Sequence, residues 1–306
     1  MLEIVSNKLN PQVLPHLHIW GFEVPVYLFC GGIAAGLLVI SSAMLIVKKD
    51  HEDLRTLQLA TLLSPIILSI GMFFLFLDLE YKSHVWRFYT AFVPTSPMSW
   101  GSWLLLGFYP FALLQAMILY KDKLPRIALL QALVIQAERW KKHIAVLNVH
   151  IGAGIGVYTG ILLATFYARP LWSHSVLGLV FLLSGMSSAA ALMLWIAPST
   201  GKRQYSMIDM YLLSLEAFAI TVLIIGGITG SANTRTAMLD FLAGPYAPWF
   251  WAVTLFGGIL MPLALETLET LGKVRFSPLT PLLVLVGGLS LRFVIVYAGQ
   301  EAATFY

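Results

Sequence analysis

The segment Val24–Val47 reads VPVYLFCGGIAAGLLVISSAMLIV and contains no charged side chain. A helix rises about 1.5 Å per residue, so a segment of this length covers the ~30 Å hydrocarbon core of a bilayer. In lipid every backbone N–H and C=O group must be bonded within the chain, which makes a helix the default conformation. The sequence therefore predicts a transmembrane helix here.

The same pattern continues along the chain. Hydrophobic residues make up 58% of the 306 positions and charged residues only 11%, against about 25% charged in a typical soluble domain. Apolar segments of transmembrane length lie at about 24–47, 57–79, 99–120, 144–167, 174–197, 208–230, 249–271 and 279–300. We therefore predict an all-α integral membrane protein. Residues 1–306 should form a single transmembrane domain of about eight transmembrane helices, arranged as two four-helix bundles.

The distribution of basic residues predicts the orientation. The loops after the first, third, fifth and seventh spans hold 13 of the 19 Lys and Arg residues, and the segments on the other side hold 5. Loops rich in Lys and Arg are retained on the cytoplasmic side. Both termini are therefore expected to be periplasmic. Retention beside the membrane also accounts for the basic clusters. These residues are therefore expected to contact membrane lipid, and no nucleic-acid partner is expected.

The sequence argues against a metal or haem centre in this protein. Cys30 is the one cysteine, so there are too few thiols to bind an iron–sulfur cluster. A bis-histidine haem needs two histidines at matching depth. His150 is placed shallowly on the inner side and His174 at the outer side, while His143 has no partner on another span. A haem-b membrane anchor remains an alternative interpretation.

Polar side chains at the outer end of the first span form one candidate site. Glu23 and Tyr27 are four residues apart and share one helix face, so an acid and a phenol are placed one turn from each other. Such a pair can relay protons to a bound carbonyl group. The alternative interpretation is an acidic residue at a helix N-terminus and an interfacial tyrosine. The following run of small residues, Cys30–Gly36, indicates close helix packing.

Other ionisable groups lie at or within the predicted spans, where such groups are functional candidates. Asp78 ends the second span, and an ion pair with Arg87 would explain it. Tyr158 is a polar group in the outer half of the apolar fourth span.

The inner half of the predicted bundle holds further ionisable groups. Acids occur in the sixth and seventh spans, and His150 lies in the fourth. Pairing with Lys202, Arg203, Lys273 or Arg275 would explain Asp209, Glu266 and Glu269, whereas Glu216 lies about two turns deeper. We group His150, Glu216 and Glu266 as a candidate proton pathway.

Several short motifs follow one another along nearly the whole chain. They are Tyr27–Gly36 (YLFCGGIAAG), Asp78 with Arg87, Ser96–Trp103 (SPMSWGSW), Tyr158-Thr-Gly160, Arg169-Pro-Leu-Trp172, Phe181–Ala189 (FLLSGMSSA) and Arg292–Gln300 (RFVIVYAGQ). As a series they resemble the NrfD/PsrC-type family, the membrane subunits of polysulfide reductase and related complexes.

The resemblance implies a quinone-reactive subunit in the bacterial inner (cytoplasmic) membrane. Menaquinone or ubiquinone would bind near the periplasmic face and exchange electrons with a docked ferredoxin-like iron–sulfur subunit, often with a molybdopterin catalytic subunit beyond it. Glu23, Tyr27 and Tyr158 are the implied catalytic residues. The implied quinone-binding set is His18, Trp20, Glu23, Tyr27, Asp78 and Tyr158. The buried acids also leave open a proton-translocating or transporter-like subunit, and the sequence does not name the terminal substrate.

Overall fold

The computed structural model describes residues 20–47 and 53–302. Eight helices in this part of the chain are long and apolar enough to cross a membrane, which confirms the predicted number. They are Glu23–Val47, Leu54–Asp78, Pro97–Leu119, Lys141–Ala164, Leu177–Ile196, Lys202–Thr229, Trp249–Thr270 and Leu279–Glu301. The described residues contain no strand. The protein is thus an all-helical, multi-pass integral membrane protein, and these helices are called the first to the eighth span below.

The largest boundary error is in the sixth span, which begins at Lys202 and not near residue 208. The prediction followed hydropathy, whereas the helix continues through its polar first turns. Tyr205 and Ser206 in these turns are buried, so tertiary packing keeps them helical.

Shorter helices connect the spans. They are Lys82–His84, Arg87–Thr90, Lys121–Lys123, Ala128–Arg139 and Ala232–Ala243. The helix Ala128–Arg139 lies in the basic loop between the third and fourth spans. Within the seventh span, Trp249–Leu260 is a π-helix that continues as the α-helix Met261–Thr270, a change of winding that the sequence pattern did not indicate.

The spans form two groups of four in sequence order. The first span packs against the second and fourth, and the third packs against the second and fourth. The seventh and eighth spans pack together, and the fifth packs against the sixth and eighth. The two groups meet where the first and fourth spans contact the fifth, with the eighth span also touching the first. The described residues therefore have the predicted arrangement of two four-helix bundles.

Glycines set the distance between the two bundles. A Cβ atom added to Gly185 of the fifth span would lie 2.7 Å from the carbonyl oxygen of Gly32. A Cβ atom added to Gly36 would lie 2.7 Å from the carbonyl oxygen of Gly185. Backbone touches backbone along this line, because small residues let membrane helices approach closely. The packing role predicted for Cys30–Gly36 is confirmed.

Both described ends of the chain lie at the same end of the bundles. The Trp20 N–H group donates to Gln300 Oε1 at 2.9 Å, and Gln300 Nε2 donates to the Trp20 carbonyl at 3.1 Å. We call this end the terminal face and the other end the opposite face. That the terminal face is periplasmic stays a prediction.

Exchanging Gly185 for alanine should separate the bundles. A methyl group there meets rigid backbone, and overpacking typically costs about 1–3 kcal/mol. Thermal unfolding of the detergent-solubilised protein should show a lower midpoint for Gly185→Ala. Gly31→Ala is the matched control, since a Cβ atom at Gly31 meets nothing within 4 Å. We call the contact of the first and fifth spans at Gly32, Gly36 and Gly185 the seam between the bundles. Equal unfolding midpoints for the two variants would contradict this account of the seam.

Candidate functional site

A cavity of about 120 Å³ lies near the terminal face within the first bundle. Its walls come from the first four spans and from the segment between the second and third spans. The lining residues are Tyr27, Met72, Leu75, Phe76, Leu79, Val85, Phe88, Tyr89, Met98, Ser102, Leu105, Tyr158 and Leu162. Most are apolar or aromatic, and the polar atoms are hydroxyl groups.

Two of the sequence-predicted site residues meet in this cavity. Tyr27 comes from the first span and Tyr158 from the fourth, and both are buried, at 5% and 7% exposure. Phenol groups from two different helices therefore line one small, mostly apolar space. Such an arrangement can offer hydrogen bonds to two positions of a single bound ring.

Gly101 of the third span makes room for Tyr158. A Cβ atom added to Gly101 would lie only 1.9 Å from Cζ of Tyr158, so the phenol ring occupies the space of the missing side chain. The residue type at position 101 thus fixes where Tyr158 lies. This gives a physical reason for the glycine in Ser96–Trp103.

The motif Ser96–Trp103 also fixes the segment between the second and third spans, part of which lines the cavity. We call it the covering segment. Ser99 Oγ accepts from the Val93 N–H group at 3.0 Å and donates to the Ala91 carbonyl at 3.1 Å. Trp100 Nε1 donates to the Pro94 carbonyl at 2.6 Å. The start of the third span therefore holds the covering segment in place.

A second, larger cavity of about 490 Å³ lies next to the first, on the side of the terminal face. The two share Leu79, Phe88 and Met98 as lining residues. The larger one also has charged or titratable walls, from Glu80, His84 and Arg87. The three shared residues form the boundary between this second cavity, called the vestibule below, and the space around Tyr27 and Tyr158.

Tyr89 adds a third phenol that sequence reasoning missed. It is half-buried in the short helix Arg87–Thr90 and lines the inner cavity. Burial, and to a lesser degree the nearby Tyr109, raises the pKa of the Tyr89 phenol. The group is therefore a hydrogen-bond donor at neutral pH. The aromatic residues between the second and third spans were the only signal for it.

Glu23 does not line this cavity. It is half-buried at the start of the first span, and its electrostatic neighbours are Asp78 and Tyr297. Its carboxylate turns back over Gly21, where an added Cβ atom would lie 2.3 Å from Glu23 Oε2. Of the predicted Glu23–Tyr27 pair, Tyr27 therefore lines the cavity and Glu23 lies outside it.

The predicted ion pair between Asp78 and Arg87 is wrong. In the described part of the chain, Lys82 is the cation that interacts with Asp78. Arg87 lies over the Trp86 ring, 5.6 Å from its centroid, and lines the outer vestibule. The short helices after Asp78 change the direction of the backbone, so separation along the sequence did not predict the contact.

Trp20 lies in an aromatic cluster outside the cavity. It stacks on Trp172 with a centroid distance of 5.1 Å and meets Phe166 edge-on at 5.3 Å. Together with its two hydrogen bonds to Gln300, this ties the start of the first span to the end of the eighth. His18, predicted to bind quinone, lies outside the described residues.

The second bundle buries a polar group of a different kind. Arg292 of the eighth span is fully buried, and its guanidinium donates to Ser184 Oγ and to the Phe181 carbonyl, the latter at 2.9 Å. Glu216 of the sixth span interacts with the same serine and with Arg292. Arg292 Nη2 also lies beside Gly32, where an added Cβ atom would be 3.2 Å away. The cation therefore lies at the seam between the bundles.

More acids continue from Glu216 toward the opposite face. Asp209 accepts from Ser187 Oγ at 2.6 Å, and its carboxyl group faces that of Glu266. Both Glu266 oxygens lack a donor within the described residues. Glu269, one turn further, accepts from the Ser277 N–H group at 2.9 Å. Buried acids thus connect the opposite face with the middle of the second bundle.

The cations predicted to pair with these terminal acids do not do so. Asp209 and Glu269 are bonded instead by hydroxyl or backbone N–H donors, since the predicted basic residues lie in the loops beyond them. His150 is exposed on the fourth span, and its Nδ1 bonds to the Val146 carbonyl of its own helix at 2.8 Å. Asp209 thus faces Glu266 and lies two helical turns from Glu216 on the sixth span, within its electrostatic influence, whereas His150 is exposed on the fourth span.

The first bundle has no comparable series of acids among its described residues. A buried hydroxyl and amide cluster surrounds Gln115, which accepts from Ser42 Oγ at 2.7 Å and from Asn148 Nδ2 at 2.8 Å. Between this cluster and the cavity lies an apolar layer that includes Leu38 and Phe108. The layer separates the cavity from the opposite face.

Within the described residues, no group of three or more His, Cys, Asp or Glu side chains is placed to hold a metal ion. That this protein holds neither metal nor haem stays a prediction.

The described residues thus form eight spans in two bundles, with a phenol-lined cavity at the terminal face. The family model described as polysulphide reductase, NrfD, matches residues 9–303, and the chain belongs to this family.

Named relatives agree with this assignment. A polysulfide reductase subunit of Wolinella succinogenes is 27% identical over 300 residues, covering 92% of this chain and 94% of the relative. Protein NrfD of Escherichia coli is 25% identical, covering 92% and 95%. A selenate reductase subunit of Mesobacillus selenatarsenatis is 21% identical, covering 98% and 78%. The protein is therefore an oxidoreductase-type membrane subunit, and the bacterial inner membrane is its location.

Replacing Gly101 by alanine should displace Tyr158 from the cavity. A misplacement of about 1 Å at a reacting group can cost up to roughly 100-fold in rate. We expect the electron-transfer activity that depends on this subunit to fall about 10- to 100-fold for Gly101→Ala. Gly107→Ala on the same span is the control, because its Cβ atom would meet only Ile151 Cδ1 at 3.7 Å. Normal rates for both variants would show that the position of Tyr158 does not matter.

Proposed function

We propose that this protein is the quinone-reactive membrane subunit of a respiratory reductase complex. Menaquinone or ubiquinone would bind in the cavity between Tyr27 and Tyr158 and exchange electrons with an iron–sulfur partner on the terminal face. The observation that carries the proposal is the convergence of two phenols from different spans in one apolar cavity that adjoins the vestibule.

The cavity fits the chemistry of a quinone head group. Such a head is a flat apolar ring with two carbonyl oxygens that accept hydrogen bonds. Tyr27 and Tyr158 can each donate one, and the aromatic rings of Phe76 and Phe88 line the same space. Buried polar groups need partners, so a ligand with acceptors at two positions suits this lining better than a hydrocarbon tail.

The residues of this protein would bind and orient the quinone and would exclude water from it. A bound quinone supplies two-electron, two-proton chemistry. Leu79, Phe88 and Met98 separate the cavity from the vestibule, which keeps the phenols in an apolar environment where their hydrogen bonds are stronger. Glu23 and Asp78 lie near one another outside this boundary and can exchange protons with the terminal face.

The electron carrier must come from another subunit. Cys30 is the only thiol in the sequence, and iron–sulfur clusters need several thiolates. We propose a ferredoxin-like iron–sulfur partner on the terminal face, with a molybdopterin or other catalytic subunit beyond it. Exposed Trp86, Phe92 and Trp100 near the vestibule provide the kind of aromatic surface that is enriched at protein interfaces.

We further propose that the terminal face is periplasmic, so that both termini are periplasmic. The support is the excess of Lys and Arg in the loops of the opposite face. Reporter fusions within 121–143 should report a cytoplasmic location, and a periplasmic signal would invert the assignment.

The buried acids favour proton translocation as a second function of the same subunit. Glu266, Asp209 and Glu216 connect the opposite face with Arg292 at the seam, and ionisable groups inside a membrane bundle commonly mark proton pathways. Because an apolar layer crosses the first bundle, protons from the opposite face would pass through the second bundle. His150, part of the predicted pathway, is exposed away from these acids.

Tyr158→Phe tests the quinone site directly. The ring still fills its space beside Gly101, but one hydrogen bond to a carbonyl oxygen is lost, which costs about 0.5–1.5 kcal/mol. We expect quinol-dependent activity of the assembled complex to fall about 2- to 10-fold while subunit assembly is unchanged.

Tyr109→Phe is the matched control for Tyr158→Phe. It removes the phenol that bonds to Ser69 Oγ at 3.0 Å outside the cavity and should leave activity near normal. Unchanged turnover in both Tyr27→Phe and Tyr158→Phe would place the quinone elsewhere.

Glu216→Gln tests the proton route. The variant keeps the size of the side chain but cannot release a proton, so proton uptake from the opposite face should fail. We expect proteoliposomes to lose quinol-linked proton translocation. Glu138→Gln, which breaks a surface ion pair with Lys121 at 2.7 Å, is the control. If Glu216→Gln and Glu266→Gln both translocate protons normally, the acids are structural.

A further inference from the structure

A groove of about 340 Å³ runs along the outer surface of the seventh and eighth spans. Its lining residues are Tyr246, Trp249, Val253, Val286, Leu289, Ser290, Phe293, Val294 and Tyr297. None of these lines the cavity that contains Tyr27 and Tyr158. The groove is therefore a separate feature, and the proposed quinone chemistry does not use it.

The groove is closed at its inner end. The seventh and eighth spans touch at Gly258 and Gly287, where a Cβ atom added to Gly258 would lie 2.3 Å from the Gly287 Cα atom. One turn nearer the terminal face, the hydroxyl groups of Thr254 and Ser290 are hydrogen-bonded at 2.9 Å. Beyond this bond the walls have larger side chains. The two helices thus form a wedge with its floor near the middle of the membrane.

The length of the wedge corresponds to one leaflet. On the eighth span the lining residues run from Val286, beside the glycine contact, to Tyr297 near the rim, which is eleven residues or about 16 Å of helix. Half of a typical hydrocarbon core is about 15 Å. One acyl chain entering from the terminal-face leaflet would therefore reach the floor.

The chemistry of the walls changes along this length. The deeper walls are apolar, and Val286 is 46% exposed toward the membrane. At the rim, the Tyr246 hydroxyl donates to Glu301 Oε1 at 2.6 Å. Among the described residues, no Lys or Arg lines the groove. A carboxylate at the level of the head groups attracts an ammonium group and repels an anionic head group.

We propose that this groove binds one phospholipid of the terminal-face leaflet with an ethanolamine-type head group. One acyl chain would lie between the seventh and eighth spans, pass over the Thr254–Ser290 bond and end near Val286, and the ammonium group would lie beside Glu301.

Lipid analysis of the purified full-length protein tests the occupant. Native mass spectrometry and lipid extraction should find one retained phosphatidylethanolamine per protein molecule. Ser290→Trp fills the groove with an indole ring and should release this lipid. Leu282→Trp is the control, because Leu282 lies on the same span, is 43% exposed and does not line the groove. The proposal is wrong if Ser290→Trp retains this lipid, or if the molecule it loses is quinone or phosphatidylglycerol.

The head-group preference gives a second test that does not depend on the Ser290 variant folding. In nanodiscs, adding phosphatidylethanolamine should raise the unfolding temperature more than adding phosphatidylglycerol does. Glu301→Gln should abolish that difference, because the ammonium group loses its carboxylate partner. Equal effects of the two lipids on the unmodified protein, or an undiminished difference in Glu301→Gln, would overturn the assignment.

Discussion

Backbone contact between the first and fifth spans is the constraint on which the rest of the structure depends. Gly36 and Gly185 bring two helices so close that a Cβ atom added at either position would lie 2.7 Å from a backbone carbonyl oxygen of the other helix. Because lipid provides no hydrophobic force between helices, close van der Waals packing must hold them. The first span is consequently buried along most of its length, and it positions Tyr27 in the first bundle while its glycines face the second.

The same seam explains how a cation can be buried in the membrane. Arg292 lies beside Gly32, and its donors reach Ser184 and the Phe181 carbonyl. A larger residue at position 32 would compete for the guanidinium's space. Removing a charge from water costs several kcal/mol unless hydrogen bonds and an opposite charge compensate. The hydrogen bonds are made to Ser184 and Phe181, and Glu216 is the acid that acts electrostatically on Arg292. The seam and the acids of the second bundle are therefore one polar arrangement.

The sequence was sufficient for features that depend on local pattern and insufficient for those that depend on neighbours. Apolar length predicted the spans, and the run of small residues predicted close packing. The family motifs pointed to Tyr27 and Tyr158, which the fold brings into one cavity. Helical spacing placed Glu23 and Tyr27 on one face but could not show that the Glu23 carboxylate turns back over Gly21, outside the cavity. Nor could it predict the contacts of Arg87 or the role of Tyr89, because the segment 79–96 changes direction at short helices.

The two bundles differ in a way that would separate the two parts of the proposed quinone chemistry, reaction at the ring and delivery of protons. In the first bundle, the phenols lie near the terminal face, and an apolar layer containing Leu38 and Phe108 lies beneath them. In the second, acids lead inward from the opposite face and end at Arg292. A proton that entered through the second bundle would have to cross at the seam. Because backbone contact leaves little space there, Arg292 is the group best placed to control that crossing.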